Sequence, residues 1–180
     1  MKILSQFAPQ VAEIRLEPHD DERGFFARAW CRDEMAAAGL TTAIAQVNLA
    51  FNERRFTLRG MHFQVAPHGE AKYFRCVRGA VYAVIVDLRS DSPACGRWNA
   101  WTISADQRNM LHVPEGTALG YQTLEDAAEV MYFMSAAYVP NAGRGFRFND
   151  PRFGVTWPQS PSVISQRDLD WPDYEPPAPH

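Results

Sequence analysis

Residues 57–88 read TLRGMHFQVAPHGEAKYFRCVRGAVYAVIVDL. Three runs, Thr57 to Gln64, Lys72 to Val77 and Ala80 to Leu88, are rich in β-branched and aromatic residues. Pro67-His68-Gly69 and Arg78-Gly79 divide them, and such residues reverse a strand rather than extend a helix. The same rhythm continues on both sides. Upstream, Ala45 to Leu49 precedes the polar Asn52-Glu53-Arg54-Arg55. Downstream, Arg89-Ser90-Asp91-Ser92-Pro93 breaks the chain before Trp98 to Ile103, Met110 to Val113, Thr117 to Leu124 and Glu129 to Tyr138. Turns such as Pro114-Glu115-Gly116 and Glu125-Asp126 separate these segments. Many short strands at this spacing predict an all-β sandwich or barrel, not alternating strands and helices. Small antiparallel barrels of the jelly-roll type can enclose a ligand. The one clear helix signal runs from Arg32 to Ala38, with acids early, Ala in the middle and Gly39 as its stop. It reads as an accessory element.

The 180 residues suffice for one domain with a substantial core and are too few for two comfortable ones. A single domain over residues 1–180 is therefore expected, with a Pro-rich tail from about residue 158. That tail holds Pro158, Pro161, Pro172, Pro176, Pro177 and Pro179 and reads as extended. Hydrophobic residues at 46% and charged residues at 22% argue against disorder. A net charge of −3 offers no broad basic surface for nucleic acid. Cys31, Cys76 and Cys95 are an odd count without C-x-x-C spacing, which excludes a disulfide framework and suits a reducing cytosol. The first residues, MKILSQFAPQVAEIRLE, lack the apolar stretch of a signal peptide. No window approaches the roughly 20 apolar residues that cross a bilayer, so a cytoplasmic protein is expected. Of the 18 basic residues only Lys2 and Lys72 are Lys, and the rest are Arg. Codon bias accounts for the Arg; an internal Lys in such a chain singles out Lys72.

Strand alternation places His62 with Gly60 and Gln64 on one face, and Lys72 with Phe74 and Cys76 on the next strand. A Lys on an apolar inward face needs a partner or a function. His62 alone reads as a satisfied histidine; with Arg59, Gln64 and Lys72 around one hairpin, a catalytic reading stands level with it. Tyr132, in Glu129-Val130-Met131-Tyr132-Phe133-Met134, reads from its strand as a packed tyrosine with a hydrogen-bonded hydroxyl. Arg54, Arg55 and Arg59 form either a solvated edge or a diphosphate clamp. Metal-binding jelly rolls present an H-x-H pair; here Gln64 takes the second place and His112 stands alone, so no metal is expected. No P-loop, G-x-G-x-x-G or G-x-S-x-G occurs.

Several fragments together resemble one family. Asp21-Glu22-Arg23-Gly24-Phe25-Phe26, Gln46-Val47-Asn48, Leu58 to Gln64 and Ala71-Lys72 stand in the order found in dTDP-4-dehydrorhamnose 3,5-epimerases. Val86-Asp87-Leu88-Arg89, Ser92-Pro93, Pro114-Glu115-Gly116, Asn149-Asp150-Pro151, Trp157-Pro158 and Ser165-Gln166-Arg167-Asp168 continue it over roughly residues 20–172. The resemblance implies a cupin-type double-stranded β-helix (jelly roll), a homodimer, a nucleotide-diphospho-sugar substrate, and neither metal nor other cofactor. It implies His62 as general base, Asp168 as its orienting carboxylate, Lys72 beside the C4 oxygen and Tyr132 as the acid on the opposite face. Arg23, Arg28, Gln46, Asn48, Arg59, Leu119, Tyr138 and Arg167 fall at ligand-binding positions, Tyr138 at the one that stacks on the nucleobase.

The departures are specific. Ala118-Leu119-Gly120 replaces the family's usual Ala-His-Gly. Arg28 stands where an acid is expected, Gly143 where a Glu is expected, and Ala83 where Asp is common. The expected activity is thus epimerisation at C3, C5 or both of a nucleotide-linked 4-keto-6-deoxyhexose. The alternatives are a non-catalytic nucleotide-sugar binder, an epimerase for one carbon only, or one for a different nucleotide. A metal-dependent cupin would need ligands that the sequence lacks.

Overall fold

The computed structural model describes residues 1–176; Pro177 and Pro179 of the expected tail lie outside the described residues. The chain begins with β1 (Lys2–Ala8), β2 (Val11–Arg15), β3 (His19–Asp21), β4 (Gly24–Phe26) and α1 (Arg32–Ala37). It continues through β5 (Gln46–Asn52), β6 (Thr57–Gln64), β7 (Lys72–Arg78), β8 (Ala80–Asp87), β9 (Trp98–Ser104) and β10 (Asn109–Val113). The remainder is β11 (Thr117–Thr123), β12 (Ala128–Met134), β13 (Gly143–Gly145), β14 (Val163–Ile164) and α2 (Gln166–Leu169).

Two antiparallel sheets face each other. The first runs in the order β1-β2-β10-β7-β12-β5 and the second in the order β13-β6-β11-β8-β9, with β14 added parallel to β6. From β5 to β8 and again from β9 to β13 consecutive strands alternate between the sheets, as in a jelly roll, while β1 with β2 and β8 with β9 form hairpins within one sheet. Inward side chains of both sheets, among them Phe74, Cys76, Val81, Ile85, Ile103, Leu111 and Val130, close one end of the interior. Residues of β8 are buried on both faces because the C-terminal segment covers the outside of the second sheet with Phe146, Phe153 and Trp157. That double burial explains the unbroken apolar run of residues 80–86. On the first sheet, α1 contributes Met35, which packs with Ile14, Leu40, Tyr73 and Met110.

Every strand expected from residue 45 onward forms. The last of them stops at Met134, short of Tyr138, where Ser135 turns to exchange hydrogen bonds with Ala71. The N-terminal hairpin of β1 and β2 escaped the sequence reading because β1 is an edge strand, mostly exposed and without clear alternation. The tail is more than extended chain. It carries β14 and the four-residue α2, whose start is capped by the Ser165 hydroxyl accepting the Asp168 N–H at 3.1 Å. The three cysteines are free, and among the described residues no helix is long and apolar enough to cross a membrane.

The pairing of β6 with β11 contains a bulge. Leu119 lies opposite His62 and Tyr121 opposite Arg59, so three residues of β6 span two of β11. Simple alternation, which groups His62 with Gly60, therefore fails here: Arg59 and His62 both turn inward. Gly60 makes this possible with φ 129° and with Gly120 so near that a Cβ on Gly60 would sit 2.5 Å from the Gly120 Cα. Strained backbone and forced overpacking each cost about 1–3 kcal/mol. Gly60→Ala is expected to lower unfolding free energy by at least about 2 kcal/mol in urea titration; an unchanged midpoint would refute the close approach.

Candidate active site

The open end of the interior is a cavity of about 190 Å³. Ala50, Lys72, Phe74 and Tyr132 line it from the first sheet, and Arg59, His62, Leu119 and Tyr121 from the second. It continues into a broader groove of about 740 Å³ with Gln46, Asn48, Gln64, Glu70, Tyr138 and Arg167 in its walls. A third hollow, about 350 Å³, opens behind His62 beside Arg59, Arg167 and Asp168. His62 borders all three.

His62 Nε2 lies 2.6 Å from Asp168 Oδ1, although 106 residues separate them. Asp168 is 5% exposed at its side chain and His62 is 41% exposed, so the carboxylate is held inside while the imidazole reaches the cavity. The second carboxylate oxygen accepts the Gly60 N–H at 3.3 Å. Burial pushes the Asp168 carboxyl up, yet the hydrogen bonds from His62, Gly60 and Ser165 outweigh it and hold the group below the usual carboxylate range. This is the arrangement that orients an imidazole and stabilises its protonated form.

Across the cavity, Tyr132 pairs in register with Phe74 of β7 and Asn48 of β5. Burial raises its hydroxyl above the ordinary tyrosine value, partly offset by Arg59, with the charge of Glu70 adding to the rise. Its phenol is therefore neutral at physiological pH and holds a proton to donate. The hydroxyl makes no hydrogen bond to another described residue, unlike the packed tyrosine of the sequence reading. Neighbouring Tyr121 is pushed by burial to about 12 and donates to Asn52 Oδ1 at 3.4 Å. Lys72 faces inward as its parity predicts, 12% exposed, with Nζ 2.7 Å from Glu70 Oε1. Arg59 is held by Asn52 Oδ1 at 2.8 Å and the Phe51 carbonyl at 3.3 Å.

The structure thus gathers His62, Lys72, Tyr132, Asp168, Arg59 and Leu119, with Gln46, Asn48, Tyr138 and Arg167 along the groove. Tyr138 is 64% exposed there, and its N–H donates to Gln46 Oε1 at 2.7 Å. Arg23 and Arg28 line none of these hollows. Arg23 projects from the β3–β4 hairpin and pairs with Asp21 at 2.6 Å; Arg28 pairs with Glu34 at 2.7 Å near the N-terminus. Glu70 and Arg144 line the groove without having been nominated from sequence. A signal for Glu70 was present: a carboxylate two residues ahead of an inward Lys, just before β7, is within reach of that ammonium.

Because the folded-state value of Asp168 lies below its unfolded value, its stabilisation is complete above about pH 4 and fades as pH falls through the folded value. Asp168→Asn is expected to destabilise by about 1.5–3 kcal/mol at pH 7. The gap to the wild type should narrow below pH 4 in urea titrations; a gap independent of pH would contradict an ionised Asp168.

The family model described as dTDP-4-dehydrorhamnose 3,5-epimerase matches residues 7–175. A dTDP-4-dehydrorhamnose 3,5-epimerase of Mycobacterium tuberculosis is 37% identical over 97% of this chain and 88% of that protein. A dTDP-4-dehydrorhamnose 3-epimerase of Streptomyces niveus is also 37% identical, over 89% of this chain and 77% of its own. Among solved structures, the dTDP-4-dehydrorhamnose 3,5-epimerase of Bacillus anthracis with TDP and pyrophosphate bound superposes with a TM-score of 0.93. It is 31% identical, and the match covers 96% of this chain and 99% of that one.

Proposed function

The chain belongs to the dTDP-4-dehydrorhamnose 3,5-epimerase family, and from that membership we infer a nucleotide-sugar epimerase that inverts C3, C5 or both of a nucleotide-linked 4-keto-6-deoxyhexose. The observation that carries the residue assignment is the placement of His62 and Tyr132 on opposite sheets, facing one cavity from opposite walls. Inverting a carbon requires a base on one face and an acid on the other.

The C4 carbonyl acidifies the protons on C3 and C5. In this reading His62 Nδ1, the ring nitrogen that Asp168 does not hold, takes one of them, and the electron pair of that C–H bond moves onto the C4 oxygen as an enolate. Asp168 holds the imidazole in position and balances the charge it gains. The Lys72 ammonium stabilises the enolate oxygen, a contribution of the kind worth about 3 kcal/mol. Tyr132 then protonates the carbon from the other face. The nucleotide portion is assigned to the broader groove, with Tyr138 against the base and Arg59 and Arg167 at the diphosphate. Base, cation and acid are all side chains, so the mechanism calls on no cofactor. Leu119, an apolar wall opposite His62 in register, favours restriction to one carbon as the second reading.

Incubation with dTDP-4-keto-6-deoxyglucose in deuterated water, followed by NMR, reads each carbon separately. The wild type is expected to exchange and invert at C3, C5 or both. His62→Ala should lose about 10²–10⁴-fold in exchange rate. Tyr132→Phe should still exchange while inversion collapses, because His62 can return a proton only to the face it came from. Exchange at neither carbon by the wild type, also with UDP, GDP and CDP analogues, would leave a binding protein instead of an enzyme.

We further place the protein in the cytoplasm as a homodimer. Its three free cysteines suit a reducing compartment. Edge strand β5 exposes Val47, Leu49 and Phe51 at 49%, 57% and 52%, an apolar stripe of the kind that association covers. Light scattering on a sizing column should give twice the 20.4 kDa chain mass, and Leu49→Asp with Phe51→Asp should return it to the single mass. A wild type that elutes as a monomer at micromolar concentration would overturn this.

A further inference from the structure

Glu70 is nearly sealed from solvent, its side chain 5% exposed, and the acid–base scheme above gives it no task. Its Oε1 receives the Lys72 ammonium at 2.7 Å, and its Oε2 receives the Gln64 amide. A carboxylate only accepts, so the Gln64 nitrogen must face it and the buried Gln64 Oε1 is left without a partner. The backbone between Glu70 and Lys72 is pinned as well. Ala71 N–H donates to Ser135 Oγ at 2.8 Å, and Ser135 N–H donates to the Ala71 carbonyl at 2.9 Å. Ser135 directly follows β12, the strand that carries Tyr132.

We propose that Glu70 is a positioning residue: by accepting a hydrogen bond from the Lys72 ammonium, it aims that ammonium into the cavity shared by His62 and Tyr132. The inference rests on the epimerase reading of the site. A Lys side chain is a flexible stem with three rotatable donors, and a cavity wall alone does not fix where its head sits. One N–H given to Glu70 leaves two for a ligand oxygen. The negative charge of Glu70 is not the useful part. A carboxylate close to a developing enolate opposes it, so the contribution lies in the direction of the hydrogen bond. An acceptor of the same length without charge should serve equally well.

This separates three variants. Glu70→Met removes the acceptor and is expected to lower kcat about 10–100-fold, the usual cost of losing a group that orients a functional one, with KM within about threefold. Glu70→Gln keeps an acceptor and should retain kcat within about threefold of the wild type. In a Lys72→Met background, Glu70→Met should cost nothing further. Wild-type kcat in Glu70→Met, or an equal loss in the Lys72→Met background, would overturn the proposal. Should Glu70→Met not fold, Glu70→Asp withdraws the carboxylate by one methylene and should lower kcat at near-constant KM; unchanged kcat there would overturn it. A second readout needs no turnover. The chain has only Lys2 and Lys72, so protein labelled with 15N-lysine gives two ammonium signals. The Lys72 signal should be ordered in the wild type and in Glu70→Gln, and should collapse toward that of exposed Lys2 in Glu70→Met. A wild type that exchanges neither sugar proton defeats the epimerase reading. An ordered Lys72 signal in Glu70→Met defeats the positioning independently of it.

Discussion

Two glycines in contact set the geometry of this site. Gly60 and Gly120 bring the backbones of β6 and β11 closer than any side chain would allow, and the extra residue of β6 is absorbed there. Two consequences follow from that single approach. Arg59 and His62 both point inward, although their spacing would send them to opposite faces of a regular strand. The Gly60 N–H is also left free of the ladder to serve Asp168, the carboxylate that aligns His62. The bulge thus supplies both the direction of His62 and one of the hydrogen bonds that hold Asp168.

The cavity wall is mostly apolar, and the ionisable groups set in it are matched. Asp168 meets His62, Glu70 meets Lys72, and Arg59 rests on neutral oxygens of Asn52 and Phe51. Pairing of this kind offsets the cost of holding charge away from water. Arg59 is left as a cation without a carboxylate partner among the described residues, which suits a site that receives an anionic diphosphate. Burial, with a smaller contribution from Glu70 and against that of Arg59, raises the Tyr132 hydroxyl above its ordinary value. In the proposed scheme the two walls therefore differ in chemistry: one accepts a proton, and the other supplies one.

The strands from residue 45 onward were legible because turn residues punctuate them and because their interior faces are apolar. Lys72 was legible for the opposite reason, as a charge where apolar residues were due. The mutual arrangement was not. Nothing local in the sequence reveals that β6 carries an extra residue, since a bulge is a relation between two strands. Gly60 and Gly120 are visible as glycines only; their contact is a property of the fold. Arg23 and Arg28 entered through family resemblance alone, and within one chain they remain apart from the cavity, each paired with a nearby acid. Glu70 was overlooked because a carboxylate beside a turn ordinarily reads as solvated surface.

Asp168 belongs to a segment that reaches the site last along the chain. It stands on α2, after β14 has joined β6 and after Phe146, Phe153 and Trp157 have covered the outer face of the second sheet. Ribosomal synthesis delivers His62, Lys72 and Tyr132 well before it. Asp168 thus comes to His62 from outside the two sheets, and the pair is complete only when α2 is docked. In the proposed scheme the docking of α2 and the alignment of the base are therefore one event, and a chain whose α2 is detached keeps its sheets and its imidazole but not the direction of that imidazole.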